Sequence, residues 1–138
     1  MSLSEHISPL LGRLAIAWFF LSEAFARARD WETTVTLMSM SHVPQAPLLL
    51  VLALVVMILG GLSLLLGYHT RHGAMLLFAF TVVATLLMHA YWTIGDPVAR
   101  AADYDIFARN IAIAGGLLLL VGMGPGGFAL DNREKKRR

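Results

Sequence analysis

Leu48-Leu49-Leu50-Val51-Leu52-Ala53-Leu54-Val55-Val56 is the stretch whose reading decides the fold. It is apolar at every position and continues with little interruption to Leu66. A strand crossing a bilayer alternates polar and apolar residues over about ten positions. This run does not alternate. A helix needs about 20 apolar residues to cross the hydrocarbon, and residues 48–66 supply that length. Three further runs have the same character: 9–26, 73–91 and 106–122. The expectation is an all-α polytopic membrane protein, a bundle of four transmembrane helices within residues 1–130.

Composition agrees. Of 138 residues, 57% are hydrophobic and 14% charged. Ordinary soluble domains carry roughly 25% charged residues. So few charges could not cover this much apolar surface. A soluble enzyme, a disordered chain and a nucleic-acid module are therefore excluded. The chain has no cysteine, which removes disulfides, thiolate metal sites and cysteine catalysis.

The surplus of positive charge is local. Residues 131–138 hold five of the eleven Lys and Arg, and the preceding 130 residues are net negative. The segment 131–138 reads as a basic cytoplasmic tail beside lipid headgroups. Four spans put both termini on one side. With Arg13 and Arg71 that side has seven Lys or Arg, against Arg27, Arg29, Arg100 and Arg109 on the other. The positive-inside rule then places both termini in the cytoplasm of a bacterial inner membrane. Arg13, the apolar run 14–21 and Ala24-Phe25-Ala26 mimic a cleaved leader, but the charge sits late and Glu23 intrudes. The first span is therefore read as retained.

The connections differ in kind. Tyr68-His69-Thr70-Arg71-His72 is short enough to force a hairpin. Residues 27–47 leave room for a short interfacial helix capped by Asp30, with Trp31, Val35, Met38 and Met40 as its apolar edge. Residues 92–105 read as a loop, with Gly95-Asp96-Pro97 as a turn. Two segments, 60–67 and 115–122, fit Gly-Gly-Leu-x-Leu-Leu-x-Gly, a pattern expected of two parallel helical hairpins. Small residues also let helix backbones approach closely in lipid.

Ionisable groups inside spans are costly and mark candidate sites. Glu23 and Arg27 are four apart and can pair along one face. Thr85, His89 and Trp92 are spaced to share a face, and Arg109 and Asn110 open the fourth span, with Asp105 placed to pair with Arg109. Topology puts all of these in one leaflet. They are expected to converge on a polar pocket able to hold a quinol headgroup, with Glu23 or His89 as the proton acceptor and Arg27, Thr85, Trp92, Arg109 and Asn110 as binding residues. Arg13 reads as a snorkelling anchor, and His69 and His72 as solvated. Met38-Ser39-Met40-Ser41-His42 offers soft ligands for Cu(I), though such methionines more often pack on lipid. The chain carries no cofactor signature, phosphate loop or zinc motif.

The chain resembles the DoxX family of small four-helix bacterial membrane proteins over about residues 12–131. The carriers are Gly60-Gly61-Leu62 through Gly67, Thr70-Arg71, Thr85-x-x-x-His89-x-Tyr91-Trp92, Phe107-Ala108-Arg109-Asn110 into Gly115-Gly116, Gly124-Pro125-Gly126 and Leu130-Asp131. The resemblance implies a quinone-associated subunit of a membrane oxidoreductase complex, working with a partner redox protein. It departs from the family at 56–59, which lacks an acid before the glycine pair, and at Ser22-Glu23 and Arg27. The alternatives are a non-catalytic membrane anchor or assembly factor for a partner oxidoreductase, and a small-solute or metal-handling protein.

Overall fold

The computed structural model describes residues 2–135. Helix α1 spans Leu3–Arg29, α2 Trp31–Met40, α3 Ala46–Leu66, α4 Thr70–Met88, α5 Pro97–Met123 and α6 Leu130–Lys135, with a 3-10 turn at Tyr91–Thr93. The helices α1, α3, α5 and the α4 segment are long and apolar enough to cross a membrane. The expected four-helix transmembrane architecture is therefore what the chain forms. Residues 136–138 of the basic tail lie outside the described residues.

The neighbours are α1 on α3, α3 on α4 and α4 on α5, while α1 and α5 touch over a shorter length. A thin core runs along the bundle axis: Ala17, Phe20 and Ala24 of α1, Met57 and Leu64 of α3, Ala74 and Leu77 of α4, Leu117 and Leu120 of α5. The outer surface is apolar too, with Trp18, Phe25, Leu59 and Leu119 all exposed. Such a surface suits a lipid solvent, in which leucine gains nothing from burial against leucine. Close approach then decides packing. A Cβ at Gly61 would stand 2.8 Å from the Leu21 side chain.

The two glycine motifs play different parts. Gly60 and Gly61 are buried, whereas a side chain at Gly115 or Gly122 would meet open space. Gly67 ends α3 in the left-handed region, at φ 66°. Gly122 lies within α5, and Gly124 ends that helix.

Two sequence boundaries move. The expected loop 92–105 is mostly helix, because Asp96 caps α5 by accepting the Ala99 N–H at 2.8 Å and Pro97 takes the first helical position. At the other hairpin, α4 ends at Met88 and His89 is its cap. The short helix α2 forms as expected after Asp30, although the Asp30 side chain makes no capping bond.

The terminal end of the bundle is tied by polar contacts to backbone. Asp131 accepts the His69 N–H at 2.6 Å and the Thr70 N–H at 3.0 Å, so it caps α4 from the far end of the chain. Asn132 donates to the carbonyls of Gly126 and Gly127 at 2.7 and 3.0 Å. Arg13 does not snorkel. It is 3% exposed, and its Nη2 donates to the Phe128 carbonyl. Its guanidinium packs against Gly67, where no side chain could fit beside it. The strap 124–129 thus closes over Arg13, and the first turns of α1 and helix α6 share an end with the α3–α4 turn.

Burial raises the Asp131 carboxyl, but the Thr70 and His69 N–H bonds and the nearby His69 ring outweigh it, leaving it below the ordinary 3.8. A depressed carboxylate stabilises the fold above 3.8 and loses that contribution as pH falls through its lower folded value. Asp131→Asn exchanges a charged acceptor for a neutral one and should therefore cost about 1 kcal/mol at neutral pH, with the gap to wild type closing in acid, read by thermal unfolding in detergent. In the same assay Gly61→Leu should destabilise by about 1–3 kcal/mol, whereas Gly115→Leu, facing open space, should leave stability unchanged.

Candidate functional site

At the opposite end, α4 and α5 run antiparallel and form two polar rungs. Thr85 and His89 stand one turn apart on the α4 side, and Asn110 and Asp103 about two turns apart on α5. Asn110 Nδ2 donates to Thr85 Oγ1 at 3.0 Å. His89 Nδ1 and Asp103 Oδ1 are 2.7 Å apart, with side chains 23% and 17% exposed. An ionised carboxylate only accepts, so Nδ1 carries the hydrogen of this contact. In the neutral ring Nε2 is then left as an acceptor.

Other predicted residues gather less closely. Glu23 and Arg27 pair along α1 at 2.9 Å, as their spacing predicts. Arg109 is exposed and lies over the Phe19 ring of α1 at 5.6 Å from its centre. The expected Asp105–Arg109 pair does not form; among the described residues the ion pairs are those of Glu23 with Arg27 and His89 with Asp103. Trp92 does not share the helix face of Thr85 and His89. It sits in the 3-10 turn, 55% exposed, because α4 has already ended. There it joins an aromatic group centred on Tyr91, whose ring centre lies 5.3 Å from Trp92, 5.0 Å from Tyr104 and 5.2 Å from Phe107. Such amphipathic rings suit a membrane interface.

Asp103 is the member that sequence reasoning missed. Its region read as loop, so the seven-residue step from Asp103 to Asn110 carried no facial meaning. Extending the helix back to Pro97 would have put both on the α4-facing side. In the copper-type run, Met38 is partly buried and Met40 is exposed, so the two face apart on α2. Among the described residues no group of three or more His, Asp or Glu is placed to hold a metal.

The fold and this site define a polytopic membrane protein in which two helices are joined by polar rungs at one end of the bundle. The chain belongs to the SURF4 family, whose model matches residues 33–137. It is 31% identical over 125 residues to the inner membrane protein YphA of Escherichia coli, covering 90% of this chain and 88% of that one. It is 29% identical over 133 residues to YqjF of the same organism, covering 96% of each. The Surfeit locus protein 4 homolog of Drosophila melanogaster is 28% identical over 134 residues, but this chain spans only 43% of its length. No solved structure matches. The resemblance to DoxX is thereby corrected: the matching family is SURF4, and glycine pairs with a His-x-aromatic-Trp piece were too generic to separate small four-helix families.

Interhelical hydrogen bonds in membrane proteins are worth about 0.6 kcal/mol on average, with a maximum near 1.7. A double-mutant cycle of Thr85→Val and Asn110→Leu should give a coupling of about that size, measured by unfolding in mixed micelles.

Proposed function

We propose that the protein is a membrane-embedded binding module that receives a hydroxyl-bearing headgroup from the bilayer at the His89–Asp103 pair. The observation that carries this reading is the 2.7 Å contact of Nδ1 with Oδ1. Asp103 fixes the ring so that Nε2 accepts a hydrogen bond from an incoming hydroxyl, and it stabilises the charged ring if the proton follows. A quinol has the required hydroxyl and partitions into lipid. This reading stands on the site chemistry alone, since the family that implied quinone chemistry has been replaced. Oxidation of a bound quinol would require an electron acceptor, for which a partner redox protein is the natural source. Of the other residues expected in the pocket, Asn110 is bonded to Thr85, Glu23 and Arg27 pair with each other on α1, Arg109 lies over Phe19 and Trp92 packs on Tyr91, so His89 and Asp103 carry the reading by themselves.

The two bacterial relatives carry the name inner membrane protein, which supports the same location for this chain. The excess of Lys and Arg at the terminal end supports termini facing the cytoplasm. The His89 site then lies in the outer leaflet.

A second reading, a non-catalytic docking factor, is favoured by one observation. The small residues Ala108, Ala112, Gly115 and Gly122 lie exposed along α5. Gly61 and Gly116, in contrast, pack against Leu21 and Ile16 inside the bundle.

Titration of the purified protein with a short-chain quinol, followed by tryptophan fluorescence, separates the two. Saturable quenching that is lost in His89→Ala and at least tenfold weaker in Asp103→Asn is the expected result. Identical quenching in wild type and both variants would overturn the binding reading. Binding unaffected by Gly115→Leu, together with loss of a co-purifying protein in that variant, would shift the weight to docking.

A further inference from the structure

At the terminal end, on the face between α3 and α4, lies a groove of about 330 Å³. Its origin is the packing of small residues. Gly73 sits against Ser63 and Gly60 against Leu77, so the two backbones approach and leave no ridge between them. Exposed side chains stand on either side: Leu59, Leu62 and Leu66 on α3, Leu76 on α4. The walls are apolar over about 10 Å of helix. Only the mouth is polar. Tyr68, His69 and His72 ring it, with the Tyr68 and His69 ring centres 4.4 Å apart and those of His69 and His72 5.7 Å apart. The turn that carries them is rigid, since Ser63 Oγ donates to the Tyr68 carbonyl at 2.7 Å and Asp131 holds the next two N–H groups.

The geometry points to a binding site for one phospholipid with an anionic headgroup. An apolar slot opening toward the bilayer takes an acyl chain. A mouth of histidine and tyrosine donors at headgroup depth takes a phosphate. Arg71 stands between the two histidines in sequence and is exposed; its guanidinium lies against Gly122 and Gly124 at the end of α5, so it adds charge to this end without lining the groove. The charge of this end is complementary to an anion. Arg71 and Arg133 are exposed there, and the sequence that continues in 134–138 adds four Lys or Arg and one Glu, against Glu5 and Asp131. Anionic lipids respond to each such cation near the surface. The site lies at the opposite end from His89, so it is independent of the quinol reading.

Native mass spectrometry of the full chain, loaded with equimolar phosphatidylglycerol and phosphatidylcholine, tests the site. Wild type should retain one phosphatidylglycerol, with about fivefold preference. Leu62→Trp fills the slot from an exposed position, and His72→Ala with His69→Asn strips the mouth while keeping a residue that tolerates the left-handed φ of 48°. Both variants should lose the preference, and Leu118→Trp on the exposed side of α5 should keep it. A preference that survives in every variant would overturn the site in favour of attraction to the basic tail alone. No preference in wild type would also overturn it, as would a lipid-free dimer that Leu62→Trp breaks, which would make the groove an interface between two copies.

Discussion

A polar group in hydrocarbon has no water to fall back on, so each one must find a partner within the protein or reach the interface. Apolar side chains, in contrast, are as comfortable in lipid as against one another. The bundle is organised by these two facts. Its apolar core is thin and its outer face equally apolar. What fixes the helices relative to one another is glycine contact toward the terminal end and polar contact at both ends. Gly60, Gly61 and Gly73 set the spacing of α1, α3 and α4. The Thr85–Asn110 and His89–Asp103 rungs set the register of α4 on α5.

The spans were legible because length and apolarity suffice to define them. Residues 48–66 could be nothing else, and the five-residue link after them left only a hairpin. The ends were harder, since helices leave the hydrocarbon without stopping. The stretch 97–105 is polar enough to read as loop, yet Asp96 and Pro97 start a helix there that runs unbroken to Met123. That single misplaced boundary hid Asp103, the partner of the residue the sequence marked most clearly. Trp92 was misplaced for the mirror reason: periodicity was carried past the true end of α4. Glu23 and Arg27 were read correctly, because an i, i+4 pair depends on one helix and not on where its neighbours begin.

Arg13 and Asp131 were illegible for a different reason. Their roles depend on residues more than 60 positions away, and nothing local distinguishes a buried arginine from one that reaches for headgroups. Gly67 held the one clue. Its left-handed conformation calls for glycine, and so does the guanidinium packed against it.

The two ends of the bundle differ in the kind of partner their polar groups have. At the terminal end Asp131, Asn132 and Arg13 all bond to backbone, which cannot titrate or be exchanged. Those contacts fasten the strap and the α3–α4 turn. At the opposite end the rungs join side chain to side chain, and one of them is a histidine with a second nitrogen left over. A contact of that kind holds two helices together and still responds to a proton or to a hydroxyl brought by a ligand. On the proposed reading the terminal end fastens the chain on itself, and the chemistry falls to His89, where α4 has ended and α5 supplies Asp103 from the turns that precede its apolar run.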